Sequence, residues 1–266
     1  MSRESCAAAG GGEEDGGGGD GLVAECYNGG MRNAGCVDGS RVSGRRYGVA
    51  FIGALAPPSA LCGGLCEGAG LLVAADSGLV TAEEAGVRPD WVVGDMDSLP
   101  DLARLDRYPS ERVLRFPRDK DLLDTEIALN LLWDEGCGDV MLIGGGGGRL
   151  DHLLALRALF DRPRCPRRWV TDSEDIHAVD EGGTLELFLP AGTRVSVLPA
   201  AAGPWKASSS GLKWPLDRVP IECGWVGISN IAGERRVLFR AERGRFLVLS
   251  PLSCGGSFTE AARQVR

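Results

Sequence analysis

Val140-Met141-Leu142-Ile143, then Gly144-Gly145-Gly146-Gly147-Gly148, then, after Arg149, the leucine-rich stretch from Leu150 to Phe160 follow one another. The first piece reads as a buried strand, the second as a loop, and the third as a helix halted before Pro163. The same units recur upstream. Tyr47-Gly48-Val49-Ala50-Phe51-Ile52, Leu71-Leu72-Val73-Ala74-Ala75, Trp91-Val92-Val93 and Val113-Leu114-Arg115-Phe116 read as further strands. Ile127 to Trp133 has the apolar density of a helix packed on a sheet, and Trp169-Val170-Thr171 closes the series as one more strand. Strands alternating with helices imply a parallel sheet covered on both faces, with binding loops gathered at the carboxyl ends of the strands.

Beyond Ser173 helical periodicity disappears. Thr184 to Leu189, Thr193 to Leu198 and Phe246 to Leu249 alternate with Gly and Pro turns, which predicts a small β-sandwich or barrel. At the other end, residues 1–45 are glycine-rich, with Gly10 to Gly12 and Gly16 to Gly19 flanking acidic residues. Such a segment buries too little apolar surface to offset its ordering entropy and is expected to be a floppy tail. The expected fold class is therefore α/β: a parallel α/β sheet domain over residues 46–172, followed by a smaller all-β sandwich over residues 173–266.

The chain has 266 residues, 44% of them hydrophobic, enough for one large domain or two modest ones. A net charge of -8 leaves no basic field for a phosphate backbone, which argues against nucleic acid as a partner. An anionic small molecule would need a metal or a few placed cations. Nine cysteines without repeated spacing and only two histidines, His152 and His177, do not make a zinc framework. The cysteines read as reduced thiols that serve as small hydrophobes. The longest apolar stretch, Val49 to Pro58, is too short to span a bilayer and no signal-type segment follows Met1, so the expected location is the cytoplasm with no membrane partner.

Three constellations carry candidate chemistry. Gly94-Asp95-Met96-Asp97-Ser98 stands where a strand runs out; in extended backbone Asp95 and Asp97 would share a face and call for a hard cation such as magnesium between them. An acidic turn is the competing reading. Lys120-Asp121-Leu122-Leu123-Asp124-Thr125-Glu126 directly precedes a helix, so Asp121 and Asp124 are either metal ligands or helix-terminus carboxylates, and Lys120 either neutralises one of them or grips a phosphate. Gly144 to Gly148 with Arg149, Asp151 and His152 form a strand-to-helix turn that suits an anion, or serve as a plain connector. Neither a dinucleotide fingerprint nor a G-x-x-x-x-G-K-[ST] loop is present. All three fall at one edge of the expected sheet, and together they hold the parts of a phosphoryl-type transfer site.

Taken in order with Ala75-Asp76-Ser77-Gly78, Gly211-Leu212-Lys213-Trp214-Pro215-Leu216 and Ser229-Asn230, these motifs resemble the thiamine pyrophosphokinase family from about residue 46 to 255. The resemblance implies a homodimer with thiamine at the subunit interface. It also implies transfer of diphosphate from ATP to the hydroxyethyl oxygen of thiamine with Mg2+, giving thiamine diphosphate and AMP. By matching positions, Asp95, Asp97, Asp121 and Asp124 would hold the metal, and Asp95, Asp97, Asp124 and Arg149 would form the catalytic set. Asp76, Ser77, Gly78, Ser98, Lys120, Arg149, Asp151 and His152 would serve ATP and its phosphates, and Leu212, Trp214, Ser229 and Asn230 the thiamine. Trp214 offers an aromatic face to a cationic thiazolium, or is a half-buried strand residue. Leu123 and Ser77 depart from the family pattern, which commonly has Thr and Gly there. Other acceptors, water included, and a non-catalytic thiamine or nucleotide sensor are the rival readings.

Overall fold

The computed structural model describes residues 46–221, 226–252 and 262–265, so the segment expected to be a tail lies outside the described residues. Six strands pair in parallel: β1 (Arg46–Phe51), β2 (Leu71–Ala75), β3 (Trp91–Gly94), β4 (Val113–Arg115), β5 (Cys137–Ile143) and β6 (Arg168–Val170). Strand β1 lies between β2 and β5, so the chain grows outward to β4 on one side and returns to lay β5 and β6 on the other. Every expected strand of this half is present within a few residues. Two helices of seven residues, Ser59–Leu65 and Gly78–Glu84, add to the expected pair, which run Asp124–Asp134 and Leu150–Ala158.

Burial on both faces explains the uninterrupted apolar strands. Val49 and Phe51 pack with Cys62, Leu65, Leu79 and Ala82 of the two short helices. Ala50 and Ile52 point the other way, into the cluster with Ile127, Leu131, Leu156 and Phe160. One short helix sits very close to the sheet: a Cβ on Gly78 would stand 2.3 Å from the Phe51 carbonyl oxygen. Cys62, Cys137 and Cys165 are buried free thiols, in keeping with a packing role.

Among the described residues the second half is all-β apart from one 3-10 turn, Leu216–Arg218. Its strands β7 (Glu174–Val179), β13 (Arg245–Pro251), β9 (Arg194–Ala200) and β11 (Gly227–Ile231) pair antiparallel and continue the parallel sheet through β6, making ten strands in all. A separate antiparallel sheet of β10 (Lys206–Ser210), β12 (Arg236–Arg243), β8 (Thr184–Phe188) and β14 (Ala262–Val265) covers one face of this extension. Val179, Val197, Phe246 and Val248 alternate inward to Leu185, Leu187, Val237 and Phe239 and form the sandwich core. Their neighbours Ile176, Ala178, Ala200 and Leu247 face the opposite way, into the cluster that holds Leu156 and Phe160. The inner sheet of the sandwich is thus the outer part of the α/β sheet. Among the described residues no helix is long and apolar enough to cross a membrane.

A buried ion pair marks the junction where strand direction reverses. Arg168 on β6 donates two hydrogen bonds to Asp175 on β7, at 2.8 and 2.7 Å, and His177 Nε2 lies 3.2 Å from Asp175 Oδ1. Burial alone would raise the Asp175 pKa; the His177 and Arg168 charges outweigh it and hold the carboxyl below the usual carboxylate range. The folded-state pKa is depressed, so the stabilisation is whole above the unfolded value of about 4 and is lost as pH falls toward the folded one. Asp175→Asn should cost about 3 kcal/mol in urea unfolding at neutral pH. Its deficit against the wild type should narrow as the pH drops below about 4, because the unfolded wild type then takes up a proton that the folded carboxylate does not.

Candidate active site

Strands β2 and β3 end side by side, and their last residues turn sharply. Asp76 adopts φ 49° and Met96 φ 64°, while Gly94 sits at φ 133°, a value open to glycine and little else. The turn at Met96 breaks the alternation that would have set Asp95 and Asp97 on one face. Asp95 turns into the site; Asp97 is exposed and is held by Arg118 at 2.7 Å. Gly94 leaves room for the next element, since a Cβ there would meet Asp124 Oδ1 at 3.0 Å. As a result Asp76, Asp95 and Asp124 each offer one oxygen to a common point, all within 4.8 Å of one another.

One ammonium serves two of the three. Lys120 Nζ lies 3.2 Å from Asp95 Oδ2 and 3.2 Å from Asp124 Oδ1, and it donates to the Pro117 carbonyl. Ser98 donates its hydroxyl to Asp76 Oδ2, and the Asp97 amide donates to Asp95 Oδ1 at 3.1 Å. Asp95, not Asp97, thus caps the turn of this loop, and it also faces the other two carboxylates. Asp76 Oδ1 and Asp124 Oδ1 remain buried without a hydrogen bond. Burial pushes the Asp76 pKa up, the Ser98 bond offsets part of that, and Asp124 and Asp95 push it further. Asp124 is also raised, by burial first, with Lys120 opposing. Asp95 alone is held low: burial works against it, but the Asp97 amide and Lys120 prevail. Three carboxylates against one lysine, with Asp76 Oδ1 buried and unpaired, form a donor set suited to a hard divalent cation.

The remaining sequence candidates fall into three groups. Asp121 is exposed and precedes the first turn of the Asp124–Asp134 helix, so it does not share a helical face with Asp124. Ser77 precedes the Gly78–Glu84 helix, beside Asp76. The glycine loop is more committed than its composition suggests, because the amides of Gly144, Gly145 and Gly146 already donate to Val170, Gly53 and Leu55. What is left for an anion is the exposed Gly147-Gly148 corner, with Arg149 and Asp151 paired to each other on the surface and His152 exposed beside them. Trp214 is 50% exposed, and the buried Asn230 clamps its backbone by accepting from Trp214 N at 3.2 Å and donating to Trp214 O at 2.6 Å. Lys213 Nζ stands 4.7 Å from the Trp214 ring centre, so that face accepts a cation. Ser229 is exposed, whereas Leu212 is a core residue bridged to Ala232.

This last group belongs to the β11 edge and not to the acidic cluster. Six strands separate β11 from β2 in the sheet order, which is roughly 30 Å at the usual strand spacing. The sequence reading missed Arg118 as a rim cation and did not place Asp76 among the metal-type carboxylates. A strand end neighbouring that of Asp95 was the available signal for Asp76.

Leu123 occupies the N-cap of the Asp124–Asp134 helix, and the Glu126 carboxylate accepts its amide at 2.8 Å. Leucine has no oxygen to return the bond, so half of a capping box is missing. Leu123→Thr should raise stability by about 1 kcal/mol in denaturant titration. Asp76→Asn should also stabilise the metal-free protein, by about 2–5 °C in Tm, because Asn suits a left-handed backbone and removes one of the crowded charges. A raised carboxylate pKa means that the charge costs stability above the unfolded value and is relieved on acidification. The advantage of Asp76→Asn should therefore shrink as pH falls through the raised pKa.

Residues 63–164, which contain the whole acidic cluster, match the family model described as thiamin pyrophosphokinase, catalytic domain. The thiamine pyrophosphokinase of Bacillus subtilis (strain 168) is 24% identical over 191 residues, covering 67% of this chain and 86% of the relative. Among solved structures, thiamine pyrophosphokinase from Bacillus subtilis shares the fold at a TM-score of 0.64 and 21% identity, covering 79% of this chain and 100% of that one. The enzyme from Geobacillus thermodenitrificans is similar at 0.59 and 25%, covering 79% and 98%. That from Candida albicans stands at 0.59 and 17%, covering 78% and 90%. The matched segment and the carboxylate geometry coincide: residues 63–164, which carry the acidic cluster, are similar to the catalytic domain of thiamine pyrophosphokinases.

Proposed function

We propose that the chain transfers the terminal diphosphate of ATP to the hydroxyethyl oxygen of thiamine, giving thiamine diphosphate and AMP. The observation that carries this reading is the Asp76, Asp95 and Asp124 trio, with Asp76 Oδ1 buried and unpaired, at the carboxyl edge of the sheet inside the family-matched segment. Mg2+ would be held by that trio, with Asp97 and Asp121 on its rim, and when bound supplies neutralisation of polyphosphate charge. Lys120, Arg118 and Arg149 would serve as cations for the polyphosphate, and the Gly147-Gly148 corner, with Asp151 and His152 beside it, would add a backbone contact surface. Ser98 orders Asp76, while Ser77 and Gly78 bring the start of their helix beside it. A carboxylate of the cluster takes the alcohol proton as the thiamine oxygen attacks.

Residues 46–172 would serve ATP and metal, and residues 173–266 thiamine and dimerisation, in the cytoplasm. Thiamine would lie on Trp214, with Asn230 fixing that segment and Ser229 and Leu212 close by. The long separation of the β11 edge from β2 supports a homodimer: one chain cannot bring its own Trp214 to its own aspartates across six strands, but a two-fold partner can. Exposed Trp214, Val226 and Ile228 supply an apolar surface for that contact.

An assay for AMP with ATP and magnesium tests the reading. AMP should form only when thiamine is present; release without thiamine would favour a hydrolase. Asp95→Ala should lose about a thousandfold in kcat, and Asp97→Ala distinctly less. Trp214→Ala should raise the KM for thiamine about tenfold and leave that for ATP nearly unchanged. Assayed at thiamine well below its KM, where both single variants are poorly active, refolding Asp95→Ala together with Trp214→Ala should restore activity toward roughly a quarter of the wild type, since mixed dimers hold one intact shared site.

A further inference from the structure

We propose that Lys120 is a built-in competitor for the metal: its ammonium bridges two carboxylates of the trio, Asp95 and Asp124, until a divalent cation arrives, and is then released toward the polyphosphate. This rests on the reading of Asp76, Asp95 and Asp124 as metal ligands. The Lys120 side chain is only 14% exposed, and its Nζ has three oxygen neighbours, Asp95 Oδ2, Asp124 Oδ1 and the Pro117 carbonyl, each at 3.2 Å. That is the donor set of a hard cation, held at ammonium distance. Metal–oxygen bonds to magnesium are about 2.0–2.1 Å, so the same carboxylates cannot close on a metal with the ammonium still between them.

The hold is also releasable. The contact with Asp124 Oδ1 is a single 3.2 Å ion pair rather than a two-pronged grip. Lysine suits the task because it is a point charge on a flexible stem, whereas the planar guanidinium of arginine prefers a fixed two-pronged grip. The chain uses lysine at only three positions, Lys120, Lys206 and Lys213, among 29 basic residues. Arg118, the nearby arginine, grips Asp97 on the exposed rim instead.

Lysine and metal should therefore show negative coupling in binding. Manganese titration of the full chain without nucleotide, followed by electron paramagnetic resonance at one neutral pH, reads this coupling. Lys120→Met should bind Mn2+ about tenfold tighter than the wild type. Equal or weaker binding by the variant, with the wild type binding normally, overturns the inference and leaves the metal reading intact. Absence of Mn2+ binding by both proteins overturns the metal reading and this one with it. Should Lys120→Met fail to fold, acylation of wild-type lysines by an amine-reactive ester, quantified by peptide mass spectrometry, decides the matter. Lys206, paired with Glu242, and Lys213 serve as internal references. Magnesium alone should speed Lys120 acylation several-fold, and ATP added to it should slow it again; a rate indifferent to saturating magnesium overturns the inference.

Discussion

Strand β1 pairs in parallel with β2 on one side and β5 on the other, and the site depends on that central position. Parallel pairing sends the carboxyl ends of all six strands to one edge, and the reversal of strand order beside β1 opens a crevice there. The glycine loop is stitched into the same place: Gly145 donates to Gly53, Gly146 and Leu55 exchange two bonds, and Gly144 donates to Val170. Glycine is required at Gly144, where a Cβ would fall 2.3 Å from the Ile52 carbonyl oxygen. The loop that looks from composition like a ligand cradle is mainly a structural knot that fixes the floor of the crevice.

What could be read from the residues followed from periodicity. The parallel strands declared themselves because both their faces are buried, so that Val49-Ala50-Phe51-Ile52 could be nothing but a central strand. The helices Ser59–Leu65 and Gly78–Glu84 escaped notice, being two turns long and, in the first case, interrupted by Gly63-Gly64. Single-chain periodicity also could not reveal that β7 joins β6, since strand order in an antiparallel extension leaves no local mark. In the site, Asp95, Asp124 and Lys120 were legible as a group, whereas the outward turn of Asp97 depended on the left-handed backbone of Met96, which no pattern in a methionine foretells.

Charge crowding sets the character of this edge. Asp76 and Asp124 are raised and Asp95 is lowered, although all three share one small space, because only Asp95 has both the Asp97 amide and the Lys120 ammonium. The arrangement works against the stability of the ligand-free protein and toward capture of a cation, the usual direction of conflict between stability and function. The incomplete cap at Leu123 lies at the start of the same helix that presents Asp124, so the weakest point of that helix coincides with its working end.

The junction of β6 and β7 carries a different kind of consequence. Because the antiparallel strands extend the parallel sheet without a gap, cutting the chain between Val170 and Glu174 would bare two sheet edges, each a row of unpaired amides and carbonyls. The two halves differ in architecture yet are not interchangeable modules. Grafting a foreign β-sandwich onto this α/β half would have to reproduce the β6–β7 register and a substitute for Arg168 and Asp175, or the exposed edges would drive aggregation.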